Sequence, residues 1–465
     1  MGQVSTVQFD QELIERYGGR GPRYTSYPTA VQFNARFGEV EYRAQAQPGD
    51  GPGRADPLSI YIHIPFCHSL CFYCGCSKIV TRDKHRAEAY LRLLLREISL
   101  QAALFDRGRP VQQLHLGGGT PTYLGPEQLD RLMDQLHRDF TLPMNGSQEF
   151  SLEIDPRTVS PKEIGALAGC GFNRISMGVQ DFDADVQRAV NRMQSADETG
   201  DLVTAARASG FRSVSLDLIY GLPLQTVASF DRTLETVLAM RPDRLANYSY
   251  AHLPQMFRAQ KLIHEQQLPA PAVKLEILRH TIERLTDAGY VYIGMDHFAL
   301  ADDELVRAQA RGELQRNFQG YSTHARCDLI GLGVSAIGRI GDCYSQNVKD
   351  IGAYAASLRQ GKLPIERGLV MTADDRIRGA IIQEIMCNGR LEFGRVSQAF
   401  EINFRDYFAA ELDQLAQLES DGLVALDEIE LRVSDRGRLM LRAIAMVFDR
   451  YLVADRATTN FSKII

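Results

Sequence analysis

Cys67-His68-Ser69-Leu70-Cys71-Phe72-Tyr73-Cys74-Gly75-Cys76 gathers half of the chain's eight cysteines into one short loop. Cys67, Cys71 and Cys74 stand at C-x3-C-x2-C spacing, and Cys76 follows after one glycine. Thiolates are soft ligands that select iron–sulfur clusters, zinc or copper(I). A four-iron cluster usually takes four thiolates, one per iron. Three cysteines therefore leave one iron open to a substrate or cofactor. The competing reading is a structural zinc site built from all four cysteines, or from His68 with three of them. Closed zinc sites usually pair two knuckles well apart in sequence, and no second C-x2-C occurs here.

Working outward, 465 residues leave room for two or three domains, and 45% hydrophobic content is ample for a large core. The net charge of −6 carries no footprint of a nucleic-acid binder. No apolar run is long enough to span a bilayer, and the N-terminus lacks the charged-then-apolar pattern of a signal peptide. Met1–Thr6 fits the loose myristoylation pattern, but no basic patch stands behind it, so chance is favoured. The cysteine usage is not that of a secreted disulfide scaffold. The expected location is the reducing cytoplasm. Cys170, Cys327, Cys343 and Cys387 are scattered singly and read as ordinary buried thiols.

Residues 1–56 read as an N-terminal arm with a short helical pattern near Glu12–Arg16, ending in a flexible connector, Gln47–Gly53. From Leu58 the texture becomes regular. Leu58, Ile60, Ile62 and Ile64 alternate with polar or aromatic residues, which predicts a strand. Ala87, Tyr90, Leu91, Leu94 and Ile98 follow at helical spacing. Further strands are predicted near 112–116, 150–154, 172–177, 213–219 and 244–249, with helical patterns between. Strand–helix alternation implies a parallel sheet with right-handed crossovers. No G-x-G-x-x-G turn follows the first strand, which weighs against a dinucleotide-binding sheet. Chemistry-bearing residues instead sit at every strand end: the cysteine loop, Gly117–Thr120, Glu153 and Asp155, Gln180, Asp217, and Ala251-His252. Barrel enzymes collect their chemistry from the C-terminal ends of strands. The predicted fold is α/β: a partial (β/α)6 TIM-like barrel over 57–300.

Beyond it, Val273–Asp287 reads as a helix and Tyr290–Ile293 as a strand, followed by the polar pair Asp296-His297 between apolar neighbours. Residues 301–365, and 316–347 in particular, show little periodicity and read as an irregular segment covering the active site. Residues 366–465 read as a mainly helical C-terminal domain with a small wing. Its predicted helices are Asp374–Asn388, Tyr407–Leu418 and Arg436–Leu452, and its hairpin is Leu423–Val433.

The cysteine loop, Ser59–Phe66 before it and Gly117-Gly118-Gly119-Thr120-Pro121-Thr122 after it resemble the radical S-adenosylmethionine (SAM) superfamily. Within it the chain resembles the oxygen-independent coproporphyrinogen III oxidases. The resemblance runs through Arg23–Ala30, Glu153–Arg157, Ser176–Asp181, Asp217–Pro223, Gly294–Ala299 and Arg316–Tyr321. It implies a 4Fe-4S cluster on Cys67, Cys71 and Cys74, with SAM at the open iron. It implies SAM contacts at Tyr61, Gly118, Glu153, Gln180, Arg192, Asp217, Ala251 and Ile337, and a second SAM near Tyr73, Gly119 and Thr120. Tyr61 and Cys76 are the implied catalytic positions, Cys76 lying beside the cluster and not on iron.

The implied reaction starts when one electron enters the cluster and SAM breaks to a 5′-deoxyadenosyl radical. That radical takes hydrogen from the β-carbon of a propionate, and loss of carbon dioxide and one further electron leaves a vinyl group. Two rounds would convert coproporphyrinogen III to protoporphyrinogen IX in haem biosynthesis. The implied partners are a tetrapyrrole substrate and an electron-donor protein, with no nucleic acid and no membrane span; a monomer is expected. A pocket for four propionates needs cationic and hydrogen-bonding groups. Arg23, Tyr24, Arg316, Asn317, Gln319 and Tyr321 are the clustered candidates. The arm carrying Arg23 and Tyr24 either closes over substrate or merely packs. Two other readings stand beside the oxidase. One is a related haem-binding or haem-transfer protein without oxidase activity, which Cys76 and the Arg23–Ala30 block disfavour. The other is a radical enzyme acting on RNA, which the charge disfavours.

Overall fold

The computed structural model describes residues 7–47, 56–143, 145–452, 461 and 463. Met1–Thr6 and, apart from Gln47, the Gln47–Gly53 connector lie outside the described residues. The chain forms two compact units: Phe33–Ile277 with Arg326–Val370, and Met1–Gln32 with Leu278–Ala325 and Met371–Ile465. The segment read as one cover over 301–365 is thus divided between them at Ala325.

The first unit is built on β1 (Leu58–Ile64), β2 (Val111–Gly118), β3 (Glu149–Ile154), β4 (Arg174–Gln180), β5 (Ser213–Tyr220) and β6 (Arg244–Ser249). These pair in sequence order, every pair parallel. Helices α1 (Lys84–Ala102), α2 (Pro126–Asp139), α3 (Pro161–Gly169), α4 (Ala196–Ala208) and α5 (Val227–Met240) make the crossovers. This is the partial six-strand barrel that the alternation predicts. On β1, β2, β3 and β5 buried apolar side chains line one face: Ile60 and Ile62, Leu114 and Leu116, Phe150 and Leu152, Val214, Leu216 and Leu218 are all 0% exposed. The helices supply matching stripes, as in α2, where Leu129, Leu132, Met133 and Leu136 are buried at i, i+3, i+4, i+7. Their starts are capped by side chains, with Asp83 Oδ1 accepting from His85 N–H at 3.0 Å and Ser160 boxed with Glu163. The opposite strand face is polar. At its lower end Ser59 donates to Gln113 (2.9 Å), Gln113 to Glu149 (2.8 Å), and Glu149 pairs with Arg174 (3.4 Å).

The stretch 316–347 is not irregular. In this unit it supplies β7 (Asp328–Leu332), parallel to β1 on its free edge, then β8 (Ile337–Ile340) and β9 (Cys343–Asn347). Helix α6 (Ile351–Arg359) and β10 (Ile365–Val370) complete the edge. Strands this short leave no countable period, and glycines with positive φ, Gly333 (92°) and Gly341 (55°), turn the chain between them. A helix at Glu39–Ala46, begun where the Glu41 carboxylate accepts from Gly38 N–H at 2.9 Å, also had no sequence forecast.

The second unit carries the Tyr290–Gly294 and His297–Leu300 hairpin, the helices Ala373–Asn388, Phe393–Phe400 and Ala409–Ser420, and a small sheet of Arg390–Glu392, Glu430–Val433 and Val424–Leu426. The last includes an antiparallel hairpin of Val424–Leu426 and Glu430–Val433. Phe393, Phe404, Phe408 and Phe448 pack together, with Phe393 stacked on Phe404 at 4.4 Å. The helix predicted over Arg436–Leu452 is broken into Arg438–Met440, Leu441–Ala445 and Met446–Phe448. Its arginines do not form a solvated face. Arg438 and Arg442 are 5% and 2% exposed and reach backbone carbonyls, so their positions are set by tertiary contacts.

Candidate active site

The cysteine loop begins where β1 ends. Ile79 N–H donates to Pro65 O at 2.6 Å and Thr81 N–H to Cys67 O at 3.0 Å, closing its base. Phe72 N–H donates to Val190 O (3.0 Å), Asn191 Nδ2 to Leu70 O (2.8 Å) and Gln260 Nε2 to Tyr73 O (2.9 Å). The rings of Phe72 and Tyr73 pack against Val186, Val190, Leu222, Tyr250 and Ile263. The apolar residues between the cysteines thus fasten the loop to three neighbouring segments.

Each of the three sulfurs meets a donor. Thr120 Oγ1 donates to Cys67 Sγ at 3.8 Å, and Cys76 N–H donates to Cys74 Sγ at 3.4 Å. Cys71 Sγ receives Arg157 at 3.6 Å and Arg192 at 3.4 Å. Burial pushes the Cys67 thiol up to about 11, a penalty that ligation of a cation removes. The Cys76 thiol bonded to Cys74 draws Cys74 down and is itself held protonated. Among the described residues, no three His, Cys, Asp or Glu side chains converge closely enough for a single metal ion. Three thiols in one loop, each beside a donor, are a donor set that fits a cluster with one iron left open.

The glycine run after β2 is demanded by its neighbours. Gly118 has φ of 116°, and a Cβ there would lie 2.7 Å from the His63 ring. A Cβ on Gly119 would lie 2.7 Å from Phe66 O and 3.0 Å from Cys67 Sγ. Gly118 N–H donates to Glu153 Oε2 at 3.2 Å. His63 Nε2 faces Ser77 O at 2.9 Å, which can only accept, so the proton is on Nε2. Nδ1 then accepts from the Tyr61 hydroxyl at 3.0 Å, and burial keeps His63 neutral by lowering its pKa. The Tyr61 ring stacks on His115 (5.9 Å, 14°), which lies 2.6 Å from Ser151 Oγ and 3.3 Å from Glu153 Oε1.

Two carboxylates share this interior. Burial would raise Glu153, but His115 and Gly118 N–H outweigh it and hold the group below its usual range. Asp217 is pushed up to about 7 by burial and by Glu153, and Ser176 Oγ donates to it at 3.0 Å. Arg192 is 6% exposed and pairs with Asp155 at 3.3 Å, with a further bond to Gly178 O. Burial opposes ionisation of Asp155, but Arg157 and Arg192 hold it below its usual range. The carboxylate that Arg192 meets is therefore Asp155, and its Nε has no partner among the described residues. Gln180 ends β4 with φ of 69°, its amide crowding Gly178 beside Arg192. Ala251 follows β6 and accepts from Gln260 at 3.2 Å; Ile337 opens β8, half-buried. Tyr61, Tyr73, Gly118, Gly119, Thr120, Glu153, Gln180, Arg192, Asp217, Ala251 and Ile337 all belong to the first unit.

The residues suggested for propionates all belong to the second. Arg23 pairs with Asp296 and keeps 36% of its side chain exposed. Arg316 donates to Arg23 O and lies over the Tyr321 ring at 5.7 Å. Tyr24 and Tyr321 are engaged elsewhere: their buried hydroxyls donate to Asp449 (3.0 Å) and Met386 O (3.1 Å). Asn317 Oδ1 accepts from Gln319 N–H at 2.8 Å, shaping a turn, while the Gln319 amide is buried without a partner among the described residues. The sequence pointed to Asp155 as a strand-end residue but to no role for His63, His115, Arg157 or Ser176. For His63, His115 and Ser176 the available signal was the period of two, which places polar residues on the inward face of otherwise apolar strands.

Residues 61–237 match the radical SAM superfamily, and residues 371–440 match the HemN C-terminal domain. The barrel, the three-thiol loop and this match define a radical SAM protein. The oxygen-independent coproporphyrinogen III oxidase of Pseudomonas aeruginosa is 51% identical over 97% of both chains. That of Escherichia coli is 49% identical, over 99% of this chain and all of its own. The solved structure described as coproporphyrinogen III oxidase (HemN) from Escherichia coli, a radical SAM enzyme, superposes with a TM-score of 0.91 at 48% identity, over 96% of this chain and 100% of that one. The chain belongs to the oxygen-independent coproporphyrinogen III oxidase family.

Proposed function

We propose that the protein oxidatively decarboxylates two propionates of coproporphyrinogen III to vinyl groups, giving protoporphyrinogen IX without oxygen. The observation that carries this is the loop at the mouth of the barrel, where three thiols each meet a donor beside an interior lined by Tyr61, Glu153 and Asp217. Cys67, Cys71 and Cys74 would hold a 4Fe-4S cluster. With SAM bound beside it, the cluster would supply radical chemistry able to attack an unactivated carbon.

The chain's own residues bind and orient. Gly117–Gly119 leave backbone bare for close approach, and Glu153 accepts from a hydroxyl or amine of SAM. Asp217, ionised above about 7, adds negative charge facing a cationic cofactor. Arg192 and Arg157 donate to the Cys71 sulfur and so steady the ligand. Cys76 keeps Cys74 in its thiolate form and stays off iron. Tyr73, Gly119 and Thr120 would border a second SAM. An electron-donor protein would feed the cluster in a monomer working in the cytoplasm. Among the described residues no helix is long and apolar enough to cross a membrane.

The test is anaerobic turnover of coproporphyrinogen III with SAM and a reductant, scored as vinyl product. Formation of protoporphyrinogen IX is expected. Tight tetrapyrrole binding with no vinyl product would point instead to a haem-handling protein.

A further inference from the structure

Glu97, on the inner side of α1, is 0% exposed, and nothing in the proposed chemistry uses it. Its carboxylate accepts three hydrogen bonds: from Gly333 N–H at 2.7 Å, from Asn347 Nδ2 at 2.7 Å and from the Tyr354 hydroxyl of α6. No cation pairs with it among the described residues. Asn347 Nδ2 also donates to Gly333 O at 2.9 Å, so both polar groups of one glycine peptide position are tied. Gly333 has φ of 92°, and a Cβ there would lie 2.4 Å from Tyr90 Oη and 2.6 Å from His63 O. Tyr90 Oη bridges the same two places, donating to His63 O at 2.8 Å and accepting from Val334 N–H at 3.0 Å. The turn from Gly333 leads directly into Ile337, and His63 holds Tyr61 on one side and Ser77 of the cysteine loop on the other.

We propose that Glu97 is a positioning residue for the SAM site, fixing the Gly333–Ile337 turn against the end of β1 and thereby the wall formed by Ile337 and Tyr61. This rests on the SAM-binding reading of that site. The chemistry requires a carboxylate. It offers two acceptor oxygens and no donor, and so satisfies three converging donors, whereas an amide has one acceptor oxygen and an apolar side chain none. An unpaired buried charge destabilises a fold, and burial pushes Glu97 up to about 7. An acid raised in the folded state binds more protons there than when unfolded, so its contribution to stability falls as pH rises through about 7. The ionisable groups facing it are tyrosines: Tyr354 of α6, Tyr90 of α1 and Tyr42 of the Glu39–Ala46 helix. Burial pushes all three above their ordinary range, so none titrates near neutrality.

The experiment compares wild type with Glu97→Gln at pH 8, each as anaerobically reconstituted holoenzyme with iron counted. Thermal unfolding and SAM binding by equilibrium dialysis are the readouts. Glu97→Gln should keep its iron unchanged and unfold at a modestly lower temperature, because an amide leaves at least one of the three buried donors without an acceptor. Its SAM dissociation constant should rise about tenfold, the low end of the cost of losing an outer-shell partner of a bound group. Unchanged SAM affinity overturns the proposal, whatever happens to stability. If Glu97→Gln does not fold, Tyr354→Phe removes one donor alone, and unaltered SAM affinity in that variant overturns the proposal equally. Failure of the wild type itself to bind SAM would instead overturn the reading on which the proposal rests.

Discussion

At the scale of single residues, Cys74 and Cys76 show how two thiols one glycine apart take different roles. The Cys76 N–H and thiol both point at the Cys74 sulfur, which draws the Cys74 thiol down and holds Cys76 protonated. Replacing Cys67, Cys71 or Cys74 by Ser should abolish the brown cluster absorbance and SAM cleavage together. Replacing Cys76 by Ser should leave most of the iron while lowering turnover. Anaerobic iron counts on the four variants check this, and four equal losses would support a closed four-cysteine site. Asp217 gives a pH prediction. Its folded pKa is raised to about 7, so it is neutral below that value and ionised above it. SAM affinity should therefore weaken as pH falls from about 8 to 6, by up to roughly tenfold for one lost charged contact. Asp217→Asn should show weak binding at both ends of that range; an undiminished pH response in the variant would assign the effect to another group.

Elements were legible where their period was long enough to count. The six barrel strands, and helices such as α2 with its unbroken stripe, stand within a few residues of their forecast places because one face of each meets a core. Five strands between Gln315 and Asn347 were not legible. They run three to five residues each, too short to count a period, and Asp328–Leu332 is placed by pairing with β1, far away in sequence. The broken helix after Arg436 failed for a related reason: buried arginines reaching backbone carbonyls look, in sequence, like a solvated polar face. For the site, the cysteines, Glu153 and Asp217 were legible as strand-end chemistry. His115 and Arg157 were not, since their partners come from other strands or from the loop. The Gly117–Gly119 end of β2 offers the test at this scale. Gly119→Ala forces a Cβ to within 3.0 Å of the Cys67 sulfur and 2.7 Å of Phe66 O, where backbone cannot yield cheaply. The variant should hold markedly less iron at nearly unchanged secondary structure, by iron assay and circular dichroism. Full cluster content with lost SAM binding would mean that the glycine serves only the cofactor.

Over the whole molecule, the candidate SAM contacts and the candidate propionate contacts divide cleanly between the two compact units. In the second unit the N-terminal arm is part of the fold. Gly21 O and Pro22 O accept from the buried Arg442, Arg23 O accepts from Arg316, and Tyr24 and Tyr27 are 1% and 3% exposed. Deleting residues 1–30 would expose the pockets of those rings, at roughly 2 kcal/mol for each aromatic side chain, and would strip Arg442 and Asp449 of partners. Truncation should therefore lower the unfolding temperature of this unit while the other keeps its iron, so loss of product in the truncated protein reports folding and not recognition. Arg23→Ala is the sharper probe, because the backbone clamps remain while the partly exposed guanidinium that pairs with Asp296 is removed. If Arg23 receives a substrate carboxylate, the variant should keep its cluster and still cleave SAM to 5′-deoxyadenosine. Vinyl product should fall about tenfold or more, as the loss of one charged hydrogen bond implies. The ratio of deoxyadenosine to product, measured in one reaction, checks this directly. A lower unfolding temperature with that ratio unchanged would leave Arg23 as the partner of Asp296 and nothing more.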